Sequence, residues 1–352
     1  MGHGARRQAV RRATHENLVA CARHFRGFRL RACRDLIEAT KPFMPESRLR
    51  GWWYLLSTTL VMAGLYALGW QPLAWPLRVA VAVLAGLVTV REFILYHDYM
   101  HGAFLRGSRL ARVILYPLGV FVMTPPRVWR ETHNYHHNHT AQLVGSNIGS
   151  FATMTLCQWA EATPAERRHY KLVRHPLTVL FAYFTAFMLD MCLMSFVRSP
   201  RKRWDSLLAL LVNWALTGLI LWKFGVAIFV FGYFLPLFVA TATGAYLFYA
   251  QHNFEGLQIQ RREEWAYDRA ALQSSSYMPT WPVMRWFTGN IGYHHVHHLN
   301  PTIPFYRLPE AMAAIPELQN PATTRLTPAD IVANFRMKLW DPEQRKMVGY
   351  PQ

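Results

Sequence analysis

HDYMH at 97–101, HNYHH at 133–137 and HHVHH at 294–298 are the stretches on which the reading of this chain turns. On an α-helix, positions i, i+3 and i+4 share a face, with about 5–6 Å between Cβ atoms, so each stretch is expected to aim its imidazoles at one spot. The residues concerned are His97 and His101, then His133, His136 and His137, then His294, His297 and His298. Imidazole suits iron, zinc, copper and nickel, and three such clusters offer more ligands than one ion takes. Two metal ions are therefore expected. His139 and His295 fall off the shared faces, and the solitary His3, His15, His24, His169 and His175 read as ordinary surface or core histidines.

Working outward from the clusters, His97 directly follows an apolar stretch over 76–96, and His252, in QHNFE at 251–255, directly follows another over 226–250. That symmetric placement at helix ends makes His252 a candidate ninth ligand. The 352 residues are 52% hydrophobic, and the mean hydropathy of +0.04 is high for a soluble enzyme of that length. The apolar residues gather in long runs at 53–70, 76–96, 176–197, 207–222 and 226–250, with a shorter one at 110–124. A hydrocarbon core about 30 Å thick needs roughly 20 apolar helical residues, so one integral membrane domain is expected.

Sidedness follows from charge. The net charge is +18, and Arg6, Arg7, Arg11, Arg12, Arg23, Arg26, Arg29, Arg31 and Arg34 crowd the first fifty residues. Beside membrane spans such a block marks the cytoplasmic side and contact with anionic lipid rather than nucleic acid. No signal-peptide order is visible at the start. Arg198, Arg201, Lys202 and Arg203 follow the 176–197 run and basic residues at 167–174 precede it, so both its ends belong on the cytoplasmic side. Asp190 within it would also be costly at mid-bilayer, by about 2.5–3.5 kcal/mol. The run at 176–197 is therefore expected to be an in-plane or re-entrant helix, and the run at 110–124, the one apolar stretch between His101 and His133 if both face the same side, is expected to lie in the interface or re-enter.

The expectation is an all-α integral membrane protein with four transmembrane helices in two hairpins, closed at 71–75 and 223–225. Residues 1–50 form a basic cytoplasmic segment, and 51–352 one domain whose 251–352 part is a helical cap. Within that cap, Thr327-Pro328 opens a last helix carrying Ile331, Phe335 and Leu339 as an apolar stripe. Cys21, Cys33, Cys157 and Cys192 are too scattered for a thiolate site and give no reason for disulfides.

Ligand type narrows the chemistry. Carboxylate-bridged di-iron bundles need two Glu-x-x-His pairs, of which the sequence holds one, Glu166 with His169, and the His-Glu-x-x-His of zinc proteases does not occur. An all-histidine, two-metal site at a membrane surface suits iron that activates dioxygen, although zinc also accepts imidazoles.

HDYMHGAF at 97–104, Trp129-Arg130 before HNYHH, LFYAQHNFE at 247–255 and NIGYHHVHHLNPTIPFYRL at 290–308 together resemble the membrane fatty acid desaturases. The similarity is strongest to the acyl-lipid Δ12/ω6 type and extends from about 96 to 308. It implies two non-haem irons held by His97, His101, His133, His136, His137, His252, His294, His297 and His298, with dioxygen as co-substrate. It also implies a cis double bond introduced into a fatty acyl lipid, with two electrons from an external carrier of the ferredoxin or cytochrome b5 type. The first histidine stretch departs from its relatives, having Tyr99 and Met100 where Cys-Gly is usual. Phe248 stands where some desaturases carry an Asn. A hydroxylase or ketolase on the same scaffold, and a non-catalytic zinc-binding membrane protein, are the alternative readings. No haem, dinucleotide or iron–sulfur motif is found in the sequence, so the electron donor is expected to be a separate protein. Phe234, Tyr246 and Tyr249 read as packing on the spans.

Overall fold

The computed structural model describes residues 31, 33–145 and 148–351. Cys21, His3, His15, His24 and the arginines up to Arg29 lie outside the described residues. Arg31, at the edge of the basic segment, donates to both carboxylate oxygens of Glu317 at 2.8 and 2.7 Å.

Helix α1 (Arg48–Gly69) and helix α2 (Trp75–His101) run antiparallel. Ser47 starts α1 by accepting the Arg50 N–H, and Pro76 sits in the first turn of α2, where a missing N–H costs nothing. The pair is laced by Thr59 donating to Glu92 at 2.7 Å and by Tyr66 against Thr89 at 3.2 Å. Helix α3 (Arg109–Phe121) buries Ala111, Leu115 and Leu118 and exposes Leu110 and Val113. Helix α4 (Pro126–His139) follows and carries the second histidine stretch.

Helix α5 (Trp204–Phe229) and helix α6 (Leu235–Gln251) are joined by a wide π-helical turn, and α5 is itself broken at Gly225, with φ 79° and ψ 176°. In a straight helix residues twenty apart lie about 30 Å apart. Here the Tyr233 hydroxyl donates to Asn213 Oδ1 at 2.7 Å, so the chain folds back at Gly225. The two antiparallel pairs meet where Gly86 of α2 lies against Pro236 and Val239, and Trp70 Nε1 donates to the Gly232 carbonyl at 3.3 Å. Two helical stretches, Trp75–His101 and Trp204–Gln251, are long and apolar enough to cross a membrane. Trp53, Leu60, Trp75, Trp222 and Val226 stand exposed on their outer faces and on α1.

The 176–197 run is not one regular helix. It passes through Pro176–Leu180, a π-helix Tyr183–Met194 and Ser195–Arg198, and it packs on α6 through Phe181 against Phe238. Asp190 points outward and pairs with Arg198 at 3.5 Å.

The all-α expectation needs one correction. The last helix, Pro328–Arg336, stops before Leu339, which belongs to strand β1 (Leu339–Asp341), paired antiparallel with β2 (Lys346–Val348) in the register Leu339 to Val348. Asp341 is the reason. Its Oδ1 accepts the N–H groups of Glu343 and Gln344 at 2.9 and 3.1 Å, which closes a turn around Pro342. Cys33, Cys157 and Cys192 are free thiols.

Candidate metal centre

Four chain segments deliver the clustered histidines. Gly102, at φ 72°, ends α2 immediately after His101 by the left-handed cap that glycine allows, so His97 and His101 occupy its last turns. Helix α4 opens on Pro126 without a side-chain cap of its own. Asp205 of α5 supplies one across space, its Oδ2 accepting the Arg127 N–H at 2.8 Å. His252 caps the end of α6. The third stretch forms the short helix α7 (His294–Leu299), preceded by Gly292, where a Cβ would lie 2.3 Å from the Met278 carbonyl oxygen.

The imidazoles gather in two groups. In the first, His97, His101, His133, His137 and His297 each bring one ring nitrogen, all within 4.8 Å of one another. In the second, His136, His252 and His298 do the same, and His294 Nε2 joins them at 2.9 Å from His252 Nε2. The groups adjoin, with the His137 and His298 rings stacked at 4.2 Å.

The expectation that each stretch aims at one spot is therefore corrected. Residues i and i+4 stay together, as His97 with His101, His133 with His137, and His294 with His298, while His136 and His297 serve the other group. At about 100° per residue, i+4 lies about 40° from i and i+3 about 60° to the other side, so neighbours i+3 and i+4 diverge by about 100°. Two short helices lying between two foci can thus feed both.

These residues fit metal ions. A metal–imidazole bond of about 2.0–2.1 Å puts neighbouring ligand nitrogens of a tetrahedral or octahedral ion about 2.9–3.4 Å apart. The Nε2 atoms of His97 and His133, of His133 and His137, of His137 and His297, and of His136 and His252 lie 3.1 Å apart. His101 Nε2 and His298 Nε2 are buried without a hydrogen-bond partner. Burial pushes the imidazoles of His133, His136, His137, His294, His297 and His298 below their ordinary range, and that of His252 down to about 4. They are held neutral, the form that binds a metal.

Outer contacts orient the rings. The Asp98 carboxylate accepts His97 Nδ1–H at 3.0 Å and the Phe305 N–H at 2.6 Å, and the Ser274 carbonyl accepts His252 Nδ1–H at 2.9 Å. Each bond fixes the tautomer whose Nε2 lone pair faces inward. Trp129 stacks on His133 at 4.3 Å, and Phe248 lies 4.9 Å from the His136 ring. Asp98, Ser274 and Asp205 escaped the reading of the sequence. Asp98 had a visible signal, sitting inside the first stretch, but a backbone carbonyl has none and Asp205 acts across 78 residues. His139 turns away to stack on Tyr135 at 3.8 Å, and buried His295 meets the Leu318 carbonyl at 3.0 Å. Neither joins a group. His169 and His175 are exposed, far from the clusters in role.

Comparison with known proteins agrees with this geometry. The family model for fatty acid desaturase matches residues 73–327. A fatty acid desaturase of Bacillus subtilis (strain 168) is 29% identical over 305 residues, covering 84% of each chain. The endoplasmic-reticulum acyl-lipid omega-3 desaturase (cytochrome b5) of Arabidopsis thaliana is 27% identical, over 78% of this chain and 73% of its own. The sn-1 acyl-lipid omega-3 desaturase (ferredoxin) of Nostoc sp. (strain 36) is 24% identical over 74% of each. A match that spans most of the chain and takes in every clustered histidine shows that this protein belongs to the fatty acid desaturase family and is an oxidoreductase.

Proposed function

We propose that this desaturase introduces a cis double bond into the acyl chain of a membrane lipid, using a two-iron centre held by His97, His101, His133, His137 and His297 on one side and His136, His252, His294 and His298 on the other. The reaction removes two hydrogens from adjacent methylenes and, with dioxygen, two electrons and two protons, yields the alkene and two waters. Bound iron would supply the dioxygen activation that no side chain here can perform. The chain's own part is to keep nine imidazoles neutral by burial, to turn their lone pairs inward through Asp98 and Ser274, and to hold the acyl chain so that one carbon pair is within reach.

The observation that carries this reading is the convergence of nine imidazoles, without a carboxylate among them, into two adjoining groups. Four membrane crossings, with both termini and the histidines on the cytoplasmic side, are part of the same proposal. Support comes from the two antiparallel helix pairs, the exposed Trp75 and Trp222 towards their turns, and the exposed Trp53 and Trp204 towards the histidines, the spacing of two interfacial belts. Electrons would come from a carrier of the ferredoxin or cytochrome b5 kind, as the names of two relatives state for those proteins.

The test is expression in a host whose acyl chains are saturated or monounsaturated, followed by mass spectrometry of its lipids. A new double bond is expected from the wild type and none from His137→Ala or His297→Ala. A new hydroxyl instead would make the enzyme a hydroxylase. Purified protein holding zinc alone, and inactive after iron loading, would overturn the di-iron centre.

A further inference from the structure

Tyr99 and Met100, the two unusual residues of the first histidine stretch, are buried, and each holds an arginine. The Tyr99 hydroxyl donates to the Ser108 carbonyl at 3.0 Å, with the Arg112 guanidinium beside it. Met100 Sδ lies 3.4 Å from an Nη of Arg130, and the same nitrogen donates to the Tyr116 hydroxyl at 3.0 Å. Arg112 also lies over the Tyr116 ring, 5.6 Å from its centre. Two exposed guanidinium groups are thereby gathered on one tyrosine.

Among the described residues no carboxylate neutralises them. Among the described residues neither Arg112 nor Arg130 forms an ion pair, and Glu131, next to Arg130 in sequence, is taken by Arg203 at 3.3 Å. Bringing two like charges together without a partner is unfavourable unless an anion completes the set. Guanidinium forks match a phosphate in shape and charge.

Position says which phosphate. Arg130 precedes His133 by one turn of α4, and Met100 adjoins His101, whose edge is partly open. Arg112 lies on α3, whose exposed Leu110 and Val113 give it an apolar face beside its arginines. A short helix with that pattern lies at the bilayer surface, at the depth of lipid headgroups.

The geometry points to a phosphate site formed by Arg112 and Arg130 and organised by Tyr99, Tyr116 and Met100, which takes the headgroup of a phospholipid whose acyl chain is the substrate. This deepens the desaturase reading and rests on it for the word substrate, but the binding itself is tested without turnover.

Full-length protein in uncharged detergent is titrated with phosphatidylglycerol, with monogalactosyldiacylglycerol and with acyl-CoA of matched acyl chains, and binding is read by native mass spectrometry. Charge-assisted hydrogen bonds of about 1.5–3 kcal/mol correspond to a preference of about tenfold or more for the phospholipid. The Arg112→Gln/Arg130→Gln double variant is expected to bring that ratio near one, and the double Lys variant to keep most of it. Equal affinities in the wild type, or a preference unchanged in the Gln variant, would overturn the site. So would equal weakening for both lipids, which would make the arginines structural, or an effect confined to acyl-CoA, which would name a soluble carrier instead. A protein that shows the preference but makes no double bond would fail the desaturase reading and keep the phosphate site.

Discussion

Asp98 shows how one side chain can matter to a centre it does not touch directly. Its carboxylate divides its oxygens between His97 Nδ1–H and the Phe305 N–H, tying the first histidine stretch to the segment that follows the third. In Asp98→Asn one oxygen remains, so one of the two donors must face an amide NH2. Losing such an outer partner typically costs 10–100-fold in metal affinity. The variant is expected to bind iron at least about tenfold more weakly in chelator competition. His139→Gln, altering a histidine that stacks on Tyr135 outside both groups, is expected to retain the wild-type iron content. Iron loss from His139→Gln equal to that from Asp98→Asn would void the distinction between clustered and bystander histidines.

At the scale of elements, close helix contact rather than residue chemistry sets the histidines in place. A Cβ on Gly86 would lie 2.7 Å from both the Pro236 carbonyl oxygen and Val239 Cβ, atoms of an opposing helix with no room to retreat, whereas one on Gly64 would meet nothing within 4 Å. Overpacking costs about 1–3 kcal/mol, and replacing an exposed helical glycine by alanine gains up to about 1 kcal/mol. Gly86→Leu is accordingly expected to lower the Tm of the purified protein and loosen the hold of α6 on His252, while Gly64→Ala leaves it level or raises it. Equal Tm changes in the two variants would contradict this account of the crossing. Such contacts also mark the limit of what was legible beforehand. The histidine stretches, the position of His252 and the reversal near Lys223–Gly225 could be read because spacing, apolar length and a polar break are local signals. The split of two stretches between two groups, the capping of α4 by Asp205 and the departure of Leu339 into a strand depend on partners distant in sequence, and local periodicity does not carry them.

For the whole molecule, nine neutral imidazoles packed nitrogen to nitrogen make metal content, pH and stability a single linked property. The ordinary histidine value of 6.5 is lowered to about 4 for His252 by burial, and burial lowers its neighbours in the same direction. Between those two values the unfolded chain takes up protons that the folded His252 refuses, so the contribution of His252 to stability falls as pH falls through that window and is level above it. Metal binding sharpens the effect, because only unprotonated nitrogen binds and the ion stabilises the folded chain alone. Chelator-stripped protein is expected to have a lower Tm than iron-loaded protein at pH 7.5, and its Tm should decline steadily from about pH 6.5 towards pH 4. Iron-loaded protein should hold its Tm further into acid, then lose iron and Tm together. Differential scanning fluorimetry across pH, with iron measured on the same samples, checks both curves. A stripped protein whose Tm is flat from pH 7.5 to 4 would show that the histidines are solvated rather than buried, and the neutral-imidazole centre would fall with it.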